Sequence, residues 1–233
     1  MTDIINSISG LLWGHILVYL LIAAGLFFTI RLGFIQFVQF PHMIKVMFQS
    51  RQGSDGGISS FQAFCTSLAA RVGTGNMAGV AVALYLGGAG AIFWMWLIAL
   101  IGMATSFAES TLAQAYKIRD EEGNFRGGPA YYMEYGLGKR WMGIVFSLCL
   151  ILAFGLVFNA VQSNSIAAAF EVAFGIPNYI VGIALVIGSG IIIFGGLKTI
   201  SRFAELAVPF MAAAYLIVAL YICAVNYTEL PDV

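Results

Sequence analysis

The 233-residue chain carries 11 basic and 11 acidic side chains, a formal net charge of zero, and 61% hydrophobic residues. Soluble globular domains hold about 45–50% apolar and about 25% charged residues, so the 9% charged residues here cannot coat a water-facing surface. A soluble enzyme and a disordered chain are disfavoured, and so is a nucleic-acid binder, because no basic excess exists to neutralise phosphates; the 19 Phe, 10 Tyr, 4 Trp and 27 Gly suit a polytopic membrane protein.

The N-terminal Met1-Thr2-Asp3-Ile4-Ile5-Asn6 lacks the positive n-region of a cleaved signal peptide, so the first apolar run reads as a retained span. A helix crosses about 30 Å of hydrocarbon with about 20 apolar residues. That rule predicts six transmembrane helices, at residues 11–30, 58–85, 91–116, 141–174, 179–197 and 203–226. Residues 33–52 mix Phe34, Phe37, Phe40 and Phe48 with Gln36, Gln39, Lys45 and Gln49, and Pro41 interrupts them. They read as an interfacial segment. Residues 50–57 form a polar, glycine-rich linker, which divides a peripheral part, 1–57, from a core, 58–233. Residues 123–138 read as a second loop, with Tyr131, Tyr132 and Tyr135 suited to the membrane interface. At 1.5 Å per residue the span 58–85 would run about 42 Å and the span 141–174 about 51 Å. The longer one is expected to tilt or to project into water. Pro209 predicts a kink in the last span.

Six spans place both termini on one side of the membrane. Arg31, Lys45 and Arg51 follow the first span, Lys117, Arg119, Arg126, Lys139 and Arg140 the third, and Lys198 and Arg202 the fifth. All of these fall on the same side, which the positive-inside rule makes cytoplasmic. Both termini are then extracytoplasmic, with Asp3, Glu229 and Asp232 at the outer ends, in the plasma membrane of a bacterium or archaeon. Cys65, Cys149 and Cys223 lie scattered in apolar runs and read as small buried hydrophobes. Neither a CxxC pair nor a Cys/His cluster suggests zinc. His15, beside Trp13, reads as interfacial filler.

The excess length of the second span has a local cause. Arg71-Val72-Gly73-Thr74-Gly75-Asn76-Met77-Ala78-Gly79 lies near its middle. Each glycine costs about 1 kcal/mol of helix stability relative to alanine, and Thr and Asn beside two of them favour unwinding. Backbone groups freed in hydrocarbon are tolerated where they line a buried polar site. Unwound carbonyls suit a cation, and the N–H groups opening the second half-helix suit a carboxylate at the positive dipole end. The competing reading is packing. Gly75 and Gly79 form a GxxxG step, and Ala69, Ala70, Ala78 and Ala81 add small residues. Spacing alone leaves both readings open. The same residues match a G-x-G-x-x-A dinucleotide fingerprint, but the required strand is absent and Met95 and Trp96 stand where an acid is needed.

Further polar groups lie within spans. Asn159, Gln162 and Ser163 share a helix face at i, i+3 and i+4, and Asn164 points elsewhere. Such groups serve either a site or interhelical hydrogen bonds. Arg71 and Glu109 are intramembrane charges, each costing about 2.5–3.5 kcal/mol at a helix centre on insertion scales. They suit a structural ion pair, a snorkelling Glu109 or a gate. Glu205 opens the sixth span and reads as interfacial.

The segment Gly73-Thr74-Gly75-Asn76-Met77-Ala78-Gly79-Val80-Ala81 resembles the broken-helix motif of the alanine/glycine:cation (sodium:alanine) symporter family. Residues 87–102, GGAGAIFWMWLIALIG, are similar to that family's signature over 16 positions, and residues 127–133, GGPAYYM, and 162–164, QSN, resemble family segments. The resemblance implies an all-α membrane fold like that of the leucine transporter: one extra helix, then two five-helix inverted repeats, each beginning with a broken helix. This chain would hold the extra helix and the first repeat, and the second repeat is absent. The resemblance implies that Gly73, Thr74, Gly75 and Asn76 bind substrate, with the N–H groups of Thr74 and Gly75 on its carboxylate. It adds Gln162 and then Asn164 as substrate contacts. It implies sodium as coupling ion, with no other cofactor, held by the Asn76 side chain and the carbonyls of Ala69 and Val72. The expected function is sodium-coupled symport of a small neutral amino acid, alanine or glycine, by an N-terminal half.

A second copy cannot replace the missing repeat, because the charge bias fixes one orientation and the missing repeat needs the opposite one. The expectation is either half of a split transporter, partnered by a separate second-repeat chain, or a truncated product. The alternative function is a non-transporting membrane subunit that acts through helix packing. An enzyme is not expected, because His15 and His42 are the chain's histidines and neither lies deep in a span.

Overall fold

The computed structural model describes residues 2–49, 57–121 and 123–227. The first helix, α1, runs Asp3–Arg31. It starts before the predicted span because Ile4, Ile5, Ile8, Leu11 and Leu12 continue the helical apolar spacing outward. Two short helices follow, α2 (Ile35–Val38) and α3 (Phe40–Gln49). Pro41 stands in the first turn of α3, where its missing N–H costs nothing, so it starts a helix rather than breaking one. The expected linker falls outside the described residues apart from Gly57, as do Arg51, Glu229 and Asp232.

The predicted span 58–85 is two helices, α4 (Ser60–Arg71) and α5 (Gly75–Gly87). Next comes α6 (Gly90–Ala115). The segment read as a plain loop contains more structure. Strands β1 (Ile118–Arg119) and β2 (Phe125–Arg126) form a small antiparallel hairpin, and helix α7 spans Pro129–Tyr135. Gly128 at φ 110° and Pro129 at the first helical position redirect the chain into α7. The rest is α8 (Arg140–Phe174), α9 (Asn178–Phe194) and α10 (Gly196–Val225). The junction of α9 and α10 is a single residue, Gly195, followed by Gly196 at φ 74°, so the residues between the predicted spans 179–197 and 203–226 are helical.

Among the described residues four helices, α1, α6, α8 and α10, are long and apolar enough to cross a membrane, with 29, 26, 35 and 30 residues. Helix α9 is apolar with 17 residues. Apart from the small hairpin the described residues form helices and turns, so the architecture is that of an all-α membrane protein. Pro209 lies inside α10.

The chain forms two compact units. One comprises Met1–Lys45 and Gly87–Phe146, the other Val46–Leu86 and Ser147–Val233. In the first, α1 packs on α6. A Cβ at Gly25 would collide with the Ile101 side chain and lie 3.3 Å from its carbonyl oxygen, so only glycine permits this approach. We expect Gly25→Leu to destabilise the unit by about 1–3 kcal/mol, readable as a lowered thermal unfolding midpoint in detergent, whereas Gly14→Leu should leave it unchanged, since nothing lies within 4 Å of a Cβ there. Nearby, buried Gln36 donates from Nε2 to the hydroxyl of buried Thr29 at 3.1 Å. Tyr132 on α7 has its phenol pushed above the ordinary value, first by burial and then by the Glu109 carboxylate.

In the second unit α4 packs on α10 around buried Cys65, Ala204 and Val208, with Phe61 and Leu68 against them. Cys149 and Cys223 are exposed, so the expectation of three buried thiols holds for Cys65 alone. Helix α4 opens with a capping box. Ser59 Oγ accepts from Gln62 N, and Ser59 N donates to Gln62 Oε1, both at 3.1 Å. Gln62 Nε2 also donates to Glu205 Oε2 of α10 at 2.9 Å. Glu205, expected at the interface, is thus half-buried and tied to α4. Losing the cap hydroxyl in Ser59→Ala should cost about 1 kcal/mol. Gln62→Ala should cost more, because it removes the cap's second bond and leaves Glu205 without that donor; thermal unfolding of the two variants compares them.

Candidate functional site

Helix α4 ends at Arg71. Val72 is extended (φ −94°, ψ 118°), and its N–H still donates to the Leu68 carbonyl at 2.9 Å. Beyond it the ladder fails. Gly73 N–H, which would have donated to the Ala69 carbonyl, turns to Asn76 Oδ1 at 3.1 Å. Asn76 N–H, which would have served the Val72 carbonyl, donates to Gly73 O at 3.0 Å. Thr74 N–H leaves the Ala70 carbonyl and donates to Gln162 Oε1 of α8 at 3.2 Å, and the Thr74 hydroxyl donates to the same oxygen at 2.6 Å. The helix resumes with a wide π-helical stretch, Gly75–Gly79, a geometry that recurs at functional sites.

The break therefore diverts the donors from Ala69 and Val72, the two carbonyls expected to help hold a cation. It also presents Gly73 and Thr74 N–H groups at the positive start of α5. Gly73 lies close against the Gln162 amide. A Cβ there would collide with Gln162 Nε2 and stand 3.1 Å from Cδ. A Cβ at Gly75 or Gly79 would meet nothing within 4 Å, so among the described residues the GxxxG step packs against no neighbour.

Of the polar face on α8, Gln162 reaches the break. Asn159 Nδ2 bonds its own helix at the Gly155 carbonyl, at 3.2 Å, and Asn164 is exposed on another side. Arg71 closes α4 and Glu109 lies within α6. The sequence reading did not find the wall beside the break. A cavity of about 350 Å³ adjoins Asn76, lined by apolar residues of the broken helix and by Met211, Ala212, Tyr215 and Leu216 of α10. Nothing in local spacing marks those α10 residues, since they reach the break only through the packing of α10 on α4. Among the described residues no cluster of His, Cys, Asp or Glu could hold a metal ion.

Long apolar helices, together with a polar site on an interrupted one, define a multi-pass helical membrane protein. The pattern that describes the sodium:alanine symporter family matches residues 1–233, and the chain belongs to that family. It is 52% identical over 231 residues to the amino-acid carrier protein AlsT of Bacillus subtilis, covering 99% of this chain and 49% of the relative. It is 52% identical over 234 residues to the probable sodium/glutamine symporter GlnT of the same organism, covering 100% and 49%. It is 43% identical over 231 residues to the sodium/alanine symporter AgcS of Methanococcus maripaludis, covering 96% of this chain and 51% of the relative. The chain spans about half the length of the curated relatives it matches.

Proposed function

We infer that this chain is the N-terminal half of a sodium-coupled symporter of small neutral amino acids, alanine or glycine. In this reading six spans form one extra helix and the first repeat of a leucine-transporter-like fold, with both termini outside. The observation that carries it is the break at Gly73–Asn76, where the N–H groups of Gly73 and Thr74 leave the helical ladder for side-chain amides. The N–H groups of Thr74 and Gly75 receive the solute carboxylate. Asn76 and the carbonyls of Ala69 and Val72 receive sodium. Gln162, which already reaches Thr74, turns to the solute, and Asn164 is the weaker candidate. The apolar lining of the cavity beside Asn76 favours a solute with an uncharged side chain.

A complementary second half supplies the remaining ligands. The test is uptake of labelled alanine into proteoliposomes holding this chain and such a half. Uptake is expected with an inward sodium gradient and not with an equal potassium gradient. Equal uptake in both contradicts sodium coupling, and absence of alanine binding by the assembled pair favours a packing subunit instead.

A further inference from the structure

Helix α8 widens into π geometry over Ile151–Phe158 and returns to α pairing at Asn159. That stretch, ILAFGLVF, holds no proline and no polar side chain. Gly155 lowers the cost of leaving the α-helix, but nothing within the stretch selects the point where α pairing resumes. The selection lies at its exit. The backbone N–H of Asn159 donates to the Leu156 carbonyl, three residues back. The Gly155 carbonyl, four residues back, is the acceptor that α pairing assigns to that N–H. It accepts from the Asn159 side chain, with Nδ2 at 3.2 Å. A side-chain amide thus takes the place of a backbone donor where the wide stretch closes. Ser165 and Ser189 also bond carbonyls four residues back, but within plain α-helix.

Gln162 follows three positions after Asn159, and its Oε1 accepts from the Thr74 N–H and hydroxyl. The other side of that contact is built alike, since the π stretch Gly75–Gly79 begins directly after Thr74. Each helix is therefore wide on one flank of the point where the two meet. A π stretch displaces the turn that follows it by on the order of one residue, about 100° of rotation at about 3.6 residues per turn. The aim of Gln162 depends on where the wide stretch ends.

We propose that Asn159 is the positioning residue for Gln162: its side-chain amide, held on the Gly155 carbonyl, fixes where α8 leaves π geometry and so aims Gln162 at the broken helix. Its consequence for binding rests on the solute reading above. Its geometry stands on the ligand-free chain. What position 159 needs is a donor. Asn159→Ser supplies a hydroxyl that reaches the carbonyl four residues back. Asn159→Leu fills a similar volume and supplies none.

The test is alanine binding in sodium chloride by this chain assembled with its complementary half in lipid nanodiscs. Asn159→Leu is expected to weaken binding about tenfold, as Gln162→Ala does. The double variant should bind no more weakly than Gln162→Ala alone, because Asn159 acts through Gln162. Asn159→Ser should stay within about twofold of wild type. Losses that multiply in the double variant overturn the proposal, and so does wild-type affinity in Asn159→Leu or an equal loss in Asn159→Ser. Asn159→Ala, equally without a donor, replaces Asn159→Leu if that variant does not assemble. Failure of the wild-type pair to bind alanine sinks the solute reading instead, and the geometry is then judged by amide exchange in the ligand-free chain. Asn159→Leu should speed exchange at Thr74, whose N–H donates to Gln162, and leave Val72, still paired to Leu68, at its wild-type rate. An unchanged rate at Thr74 overturns the proposal.

Discussion

Asn76→Ala is expected to abolish concentrative alanine uptake driven by sodium, with a loss of about 100-fold. Asn76 is the side chain that closes the Gly73 donor. Removing it leaves a start to α5 that still attracts a carboxylate, but no side-chain oxygen to tie that event to the cation. Uptake and binding should therefore separate. Alanine still binds, without a sodium advantage, while a sodium gradient no longer drives accumulation. Counterflow of labelled alanine in sodium-free buffer checks the first, and uptake under a gradient checks the second.

Gly73→Val is expected to have an effect as large by a different route. The added side chain occupies the place of the Gln162 amide, so α8 must move or Gln162 must abandon Thr74. A displacement of about 1 Å at a site that positions ligands costs on the order of 100-fold in rate. Uptake should fall accordingly, while the chain still reaches the membrane, since the collision is confined to one side chain. Gly75→Ala supplies the comparison. Nothing lies within 4 Å of a Cβ there, so it should keep far more uptake than Gly73→Val. Equal losses at both glycines would show that backbone freedom, rather than the fit of Gln162, is what Gly73 provides.

The break was legible in the sequence because its cause is local. Two glycines beside Thr74 and Asn76 cannot sustain a helical ladder, and the structure diverts the ladder at Gly73, Thr74 and Asn76. Gln162 was legible from its shared face with Asn159 and Ser163, although spacing could not say that Gln162 alone of these would reach Thr74. What joins α4 to α10 was not legible. The Gln62–Glu205 bond links residues 143 positions apart, and Glu205 taken by itself resembled an interfacial acid. The hairpin at Ile118–Arg126 was missed because each strand has two residues, too few for an alternating pattern. Among the described residues three helical stretches widen to π geometry, Leu12–Leu17, Gly75–Gly79 and Ile151–Phe158. Composition marks only the middle one, through its two glycines.

The central claim is that the backbone around Thr74 leaves the helix in order to hold a solute and an ion together. Hydrogen–deuterium exchange across α4 and α5 in the assembled pair tests it most directly. The account predicts rapid exchange at Gly73–Asn76 without ligands, flanked by slow exchange in Ser60–Arg71, and strong local slowing when alanine and sodium are added together, more than with either alone. Uniform protection through the break without ligands, or slowing by both ligands at some other segment while Gly73–Asn76 stays unchanged, would contradict it.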